Sequence, residues 1–159
     1  MIKKILLHYA SCLDEYLRRF HHESEGVAEV GFMGNSAEMK PNKMLLSLIS
    51  VDRETPSVIS APVQRTVEGY TRMTPPLLLN LNIMLAAVYD EKRYAESLSV
   101  LSDSLKFIQS TPHFQVDHLE YSIEIVTFST QDINNIWNTL GGQYYPSVMC
   151  KIRRLVIDD

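Results

Sequence analysis

Residues 75–88, which read PPLLLNLNIMLAAV, decide the fold. The odd-numbered positions from Leu77 to Leu85 are all large and apolar, while Asn80, Asn82 and Met84 alternate with them. This period of two over an unusual length predicts a long β-strand that starts after the proline pair. The two asparagines place amide groups on one face of the sheet, where they are costly unless they are hydrogen bonded or wet.

The segments before this strand predict one helix and two strands. Residues 43–51 are apolar at nearly every position, which predicts a strand buried on both faces, and the short apolar run at 27–33 predicts another. A helix is predicted to begin at Ile2 and to end before Gly26, because apolar residues recur at spacings of three and four. That stripe consists of Ile2, Ile5, Leu6, Tyr9, Leu13, Tyr16, Leu17 and Phe20.

The segments after it predict two more helices and two more strands. A helix is predicted over 92–109, a half-exposed strand over 119–127, and a last strand over 148–157. Ser129 is the predicted N-cap of a third helix, with Asp132 three residues on, and Gly141-Gly142 ends it. The order predicts an α+β (mixed α/β) fold, with helices packed on one face of a mostly antiparallel sheet.

Residues 52–74 lose this pattern and predict a long loop or an irregular hairpin. A patternless segment of this length inside a compact domain is uncommon and is usually functional or disordered. We therefore expect it to contact a partner.

Size and composition indicate a single domain over 1–159 in a reducing, cytosolic compartment. The chain is 45% hydrophobic and carries a net charge of −4, which argues against a general nucleic-acid binder. Cys12 and Cys150 have no metal-like spacing and are expected to be small buried thiols. No secretory signal and no apolar run long enough for a membrane span is recognised.

No motif for catalysis or for a cofactor is found. The nucleophile elbow, the phosphate-binding glycine loops and the HExxH zinc motif are all missing from the sequence. His21-His22 is a poor metal site because adjacent helical residues point about 100° apart, so a solvated helix end is expected. His113 and His118 are expected in a turn facing water. We predict no catalytic, cofactor or metal residues, and no enzyme.

The last predicted strand carries Lys151, Arg153 and Arg154 on an otherwise apolar pattern. Cations on such a strand indicate either a sheet edge guarded against aggregation or a surface for an acidic partner. Both interpretations remain open at this point.

Several segments in collinear order resemble a known family, the cap or tail-terminator proteins of phage-tail-like contractile injection systems. That family includes proteins of the Photorhabdus virulence cassette and the antifeeding prophage. The proline-proline strand and the Trp-Leu-Gly to Pro-Ser turn are the most specific parts. The matching segments are residues 42–49, 74–81, 86–89, 94–102, 107–109 with Pro112 and Phe114, 137–142 and 145–153.

The resemblance implies a tail-terminator-like fold and a structural role. Family members form a hexameric ring at the end of the inner tube and sheath and stop the growth of both. Some of them carry a further C-terminal domain after the part that matches here. It implies sheath and tube proteins as partners, without nucleic acid or direct membrane insertion, on a cytoplasmic or released particle. The alternatives are another tail connector or baseplate component, or a small ligand-binding or enzymatic domain.

Two interface hypotheses follow from this resemblance. Strands are exchanged between sheath subunits, so an open sheet edge is a natural receptor. We expect the strand at 148–157 to be that edge, with Lys151, Arg153 and Arg154 steering an acidic segment. The segment at 52–74, with Arg65, Tyr70 and Arg72, is expected to contact the ring neighbour or the tube.

Overall fold

The structure, a computed structural model, describes residues 1–33, 41–54, 63–66, 69–72 and 76–157, with the backbone alone at 63–66 and 69–72. Three α-helices and eight β-strands are formed within these ranges. In chain order they are α1 (Ile2–Leu17), β1 (Ala28–Val30), β2 (Lys43–Arg53), β3 (Val63–Thr66), β4 (Gly69–Arg72), β5 (Leu77–Val88), a 3-10 turn (Glu91–Arg93), α2 (Tyr94–Ser110), β6 (His113–Val116), β7 (Leu119–Val126), α3 (Thr130–Thr139) and β8 (Ser147–Ile157).

Six of the strands form one sheet in the order β1-β2-β5-β8-β7-β6, and β3 pairs with β4 in a separate two-stranded sheet. In the large sheet β1 runs parallel to β2, and the other neighbours are antiparallel. The predicted mixed, mostly antiparallel fold is therefore confirmed, and the bounds of β5 are those expected from its pattern.

The centre of the sheet is buried on both faces, because β5 carries apolar residues at odd and even positions alike. Leu81, Ile83 and Leu85 pack into a large cluster beneath α1 and α2, where Tyr9 and Leu13 of α1 are also buried. On the opposite face Met84 and Ala86 pack against Trp137 of α3. The expectation that the helices cover one face is thus wrong, since the large apolar residues of α3 require a second apolar surface.

Local signals place most helix ends correctly. The Ser129 hydroxyl accepts a hydrogen bond from the Asp132 backbone N–H at 3.1 Å, as the capping pattern predicts. The end of α1 differs, since it lies at Leu17, and Gly26 instead sits with a φ of +97° in the turn before β1. There the Asp14 carboxylate accepts bonds from the backbone N–H groups of Val27 and Ala28 at 2.6 and 2.9 Å, fixing the start of β1.

The described parts of the segment at 52–74 are more regular than a loop. Strand β2 runs on to Arg53, and β3 and β4 form a hairpin between β2 and β5, which is the irregular-hairpin alternative. Strand β6 is absent from the sequence-based prediction, because its four residues follow a proline and are too short to show a period. Its hairpin with β7 places Asp117 and His118 at positive φ.

Strand β8 is not an edge of the sheet, so this part of the receptor hypothesis is wrong. It pairs with β5 on one side and with β7 on the other, and the sheet edges are β1 and β6. Pairing with β7 stops at Arg153, however, while pairing with β5 continues to Ile157. The last four residues of β8 are therefore open on the β7 side among the described strands.

Candidate partner-binding surface

The predicted basic residues lie at the end of the sheet where β2 and β8 finish and β5 begins. Lys151 and Arg153 stand opposite Asn82 and Ser122 in the registers, on the same sheet face as α3 but beyond its cover. Three carboxylates from other strands meet them there. We call the set Asp52, Glu54, Glu124, Lys151 and Arg153 the charge ladder.

Arg153 is the centre of the charge ladder. Its Nε and Nη2 atoms both lie 2.6 Å from Oε1 of Glu124, and its Nη1 lies 3.5 Å from Oε1 of Glu54. A guanidinium that donates to two carboxylates in this way is restricted in orientation, because its planar donors are engaged on two sides. About a third of each partner or more is exposed, so solvent screens these pairs.

The two asparagines of β5 hydrogen bond to carboxylates of the charge ladder. Asn82 is 5% exposed and donates to the Ser50 hydroxyl at 2.9 Å and to the Asp52 carboxylate at 2.6 Å. Asn80 is buried beside Glu54, and with its amide nitrogen turned to that carboxylate it donates at 3.1 Å. These bonds answer the cost of placing amides on a sheet face.

Because the charge ladder holds three carboxylates against two cations, this surface is not the basic strand that the sequence suggested. Asp52 lies 3.7 Å from the ammonium of Lys151, so Lys151 and Arg153 are both paired within the chain. The acidic partners could not be recognised from sequence, since Glu54 lies 99 positions away from Arg153.

Arg154 differs from its two neighbours. It is exposed and has no ion pair among the described residues, and its φ is +78°. Leu79 and Leu81 pair with Leu155 and Ile152, so Arg153 and Arg154 together stand opposite Asn80 in a β-bulge. The bulge holds Arg154 in a backbone conformation that glycine would adopt at no cost.

The remaining predicted interface residues lie on the β3–β4 hairpin. Arg65 pairs with Tyr70 in the register, and Arg72 pairs with Val63. Their side chains lie outside the part of the chain that the structure describes. The hairpin is inserted after β2 and before β5, so the chain leaves and re-enters the sheet at the end that carries the charge ladder.

The described residues hold no group of three or more potential metal ligands. Burial raises the pKa of the Cys150 thiol to about 12, so it is not a nucleophile at neutral pH. His21 is not solvated as expected, because its Nε2 lies 2.8 Å from the carboxylate of Asp103 on α2. None of the described helices is both long and apolar enough to cross a bilayer.

Comparison with known proteins identifies the family. A family profile for the Pvc16 N-terminal domain matches residues 10–159. The chain belongs to the Pvc16 N-terminal domain family. The resemblance deduced from the sequence is thereby confirmed. A search of curated proteins finds no match.

Two solved structures share the fold of this Pvc16 N-terminal domain. The sheath/tube terminator of PVC, an extracellular contractile injection system, in its extended state, superposes with a TM-score of 0.61 at 13% identity, covering 98% of this chain and 57% of that one. The tube-terminating cap of the anti-feeding prophage superposes with a TM-score of 0.59 at 12% identity, and the match covers 96% of this chain and 54% of that one. The chain thus spans little more than half the length of these terminators.

Proposed function

We propose that this protein is a structural terminator of a contractile injection system, without enzymatic activity, that ends the growth of tube and sheath. The observation that carries the proposal is membership of the Pvc16 N-terminal domain family over residues 10–159. The fold shared with a sheath/tube terminator and with a tube-terminating cap supports it. The protein acts in the cytoplasm, on a particle that is anchored or released.

A terminator needs two kinds of surface. A head-to-tail contact between identical copies closes a ring, for which we propose six members, and a second surface accepts the tube or sheath. We propose that the charge-ladder end of the sheet, with the β3–β4 hairpin, is the second surface. Leu77 of β5 and its neighbours Val156 and Ile157 of β8 are exposed there, each between 37% and 42%. Beyond Arg153, β8 is also open on its β7 side among the described strands.

Imaging of particles tests the terminator role. Deletion of the gene in its host should give tubes and sheaths of uncontrolled length in electron micrographs, and expression of the intact gene should restore a uniform length. Particles of normal length after deletion would contradict the proposal. Truncated baseplates would point instead to a connector or baseplate role.

Arg154 offers a sharper test of the surface than a change of all three basic residues, because Lys151 and Arg153 are paired within the chain. Arg154→Glu should leave the fold intact and weaken attachment to sheath ends about tenfold or more, since it reverses an exposed charge. Lys92→Glu is the matched control, as Lys92 is exposed at the opposite end of β5. Equal attachment by both variants would contradict this surface.

A further inference from the structure

A second candidate surface lies at the opposite end of the sheet, where β5 and the segment before β8 meet the start of α2. Four tyrosines, at 89, 94, 144 and 145, line a cavity of about 540 Å³ together with Asp90 and Glu91. We call this the tyrosine groove. Its volume falls within the range of ligand sites, but it is partly open to solvent and so can admit a segment of another chain as well as a small molecule.

The floor of the tyrosine groove is rigid. Tyr89 is 5% exposed, and the guanidinium of Arg93 lies over its ring, 5.3 Å from the centroid. Arg93 is itself held by the carboxylates of Glu96, at 2.7 Å, and Glu23. Hydrogen bonds from Arg93 in turn hold the pKa of Glu96 below its usual value, so this pair stays charged at neutral pH. A floor fixed in this way loses little freedom when a partner binds.

The walls of the tyrosine groove are exposed aromatic rings. Tyr94 is 55% exposed and Tyr144 66%. The Tyr144 ring meets Trp137 of α3 edge-on at 5.7 Å, and Tyr145 meets the same indole at 5.7 Å. Trp137 is buried and therefore anchors one wall from behind. Exposed tyrosines on a fixed support combine apolar area with a polar tip, which is the property enriched at binding surfaces.

The charge of the tyrosine groove selects the partner. The charged side chains that line it are Asp90 and Glu91, both acidic, while Arg93, which lies over Tyr89, is paired with Glu96 and Glu23. Its rim therefore complements a basic segment and repels an acidic one. At the charge-ladder end, by contrast, one cation, Arg154, is exposed beside the internally paired charges.

We infer that the tyrosine groove docks an extended, proline-containing basic segment of another protein. Polyproline II segments have a preformed shape, so they lose little entropy on docking, and they bind in grooves lined by aromatic rings. Tyrosine rings pack against the proline rings, while the hydroxyls of the exposed Tyr94 and Tyr144 donate to the unpaired backbone carbonyls of such a segment. Arginines or lysines between the prolines then face Asp90 and Glu91. This inference does not depend on the terminator role.

Titration of the ¹⁵N-labelled full chain with a synthetic octapeptide repeating Pro-Pro-Arg tests the inference. Saturable shifts are expected for the backbone amide signals of 87–94 and 143–145. A peptide with glutamate in place of arginine should bind at least about tenfold more weakly, because both rim charges then repel it. No saturable shift with the arginine peptide, or equal binding of the two peptides, would overturn the proposal.

Two variants distinguish binding in the tyrosine groove from non-specific binding to exposed aromatic rings. Tyr94→Ala and Tyr144→Ala each remove an exposed ring and should weaken binding of the arginine peptide by roughly tenfold, the usual loss at an aromatic anchor. Phe32→Ala is the matched control, since Phe32 is an even more exposed ring beside the β1 edge, and its binding should equal that of the unchanged protein. Unchanged binding by both tyrosine variants, or an equal loss in the control, would also overturn the proposal.

Discussion

The two ends of the central sheet are built from the same strands but differ in polarity. At the charge-ladder end, the first half of β5 carries Asn80 and Asn82, and each of these buried amides is satisfied by a charged or hydroxyl neighbour. At the tyrosine-groove end, β5 is apolar on both faces, and Trp137 covers the face that the charge ladder leaves open. One face of the sheet is thus polar and wet at one end, and closed by α3 at the other.

This difference determines what each end can contribute. The charge ladder is a network of partly exposed pairs that solvent screens, so it contributes little to stability. The tyrosine groove rests on packed aromatic rings, so its shape depends on the core. A partner at the charge ladder must compete with internal ion pairs, whereas a partner at the tyrosine groove meets a surface already formed. The predictions below test this contrast.

The largest effect is expected at Trp137, which joins α3 to the sheet and supports the tyrosine groove. Trp137→Ala should lower the free energy of unfolding by about 3–5 kcal/mol, because it removes a buried indole and leaves a cavity. Urea denaturation measures this value. Tyr144→Ala, the exposed neighbour, should cost about 1 kcal/mol or less. If the two variants cost the same, α3 is only loosely attached and the groove is not supported from the core.

The position of Trp137 also shows which features of α3 local sequence patterns predict and which they do not. The cap at Ser129 and the apolar stripe that follows it are local signals, and they predict the third helix correctly. The prediction of the face it covers is wrong, because a helix pattern says that an apolar surface exists but not which surface lies opposite. The pattern of β5 does indicate a second buried face. Met84 and Ala86 are apolar and lie on the face of the strand opposite to Ile83.

The order of the strands in the sheet also could not be predicted from the sequence. The pattern of residues 148–157 identifies β8 as a strand but is silent on its neighbours, and the interior position follows only from its pairing with β5 and β7. The acidic partners of Arg153 come from β7 and from the end of β2, and no local spacing brings them together. The family resemblance, by contrast, rests on collinear segments and is confirmed over residues 10–159.

A smaller effect is expected in the charge ladder. In a double-mutant cycle of Arg153→Ala and Glu124→Ala, the coupling free energy should be about 0.5–1 kcal/mol, because both contacts are short but partly exposed. It should fall as salt is added. Lys106 and Asp103 form the control pair, since they lie 3.6 Å apart with Lys106 72% exposed, and their coupling should be close to zero. A coupling above about 2 kcal/mol would mean that the charge ladder is structural.

The smallest effect, and the one with the opposite sign, is expected at Arg154. A non-glycine residue at a φ of +78° costs roughly 1–2 kcal/mol, which Arg154→Gly recovers. The greater freedom of glycine in the unfolded chain offsets about 0.5–1 kcal/mol of this gain. The free energy of unfolding should therefore rise by about 0.7 kcal/mol, and by at most about 1.5 kcal/mol, in the same urea experiment.

Asn42 at the tyrosine-groove end provides the comparison. It also has a positive φ, of 54°, but asparagine tolerates this conformation, and its side chain accepts a bond from the Asp90 backbone N–H at 2.9 Å. Asn42→Gly should therefore give no gain. If Arg154→Gly is more stable yet attaches less well to sheath ends, the side chain is retained for contact at the expense of the free fold, as expected of strain stored at a functional site. If Arg154→Gly is less stable than the unchanged protein, the Arg154 side chain stabilises the bulge. The positive φ of Arg154 would then no longer support the charge-ladder end as the attachment surface.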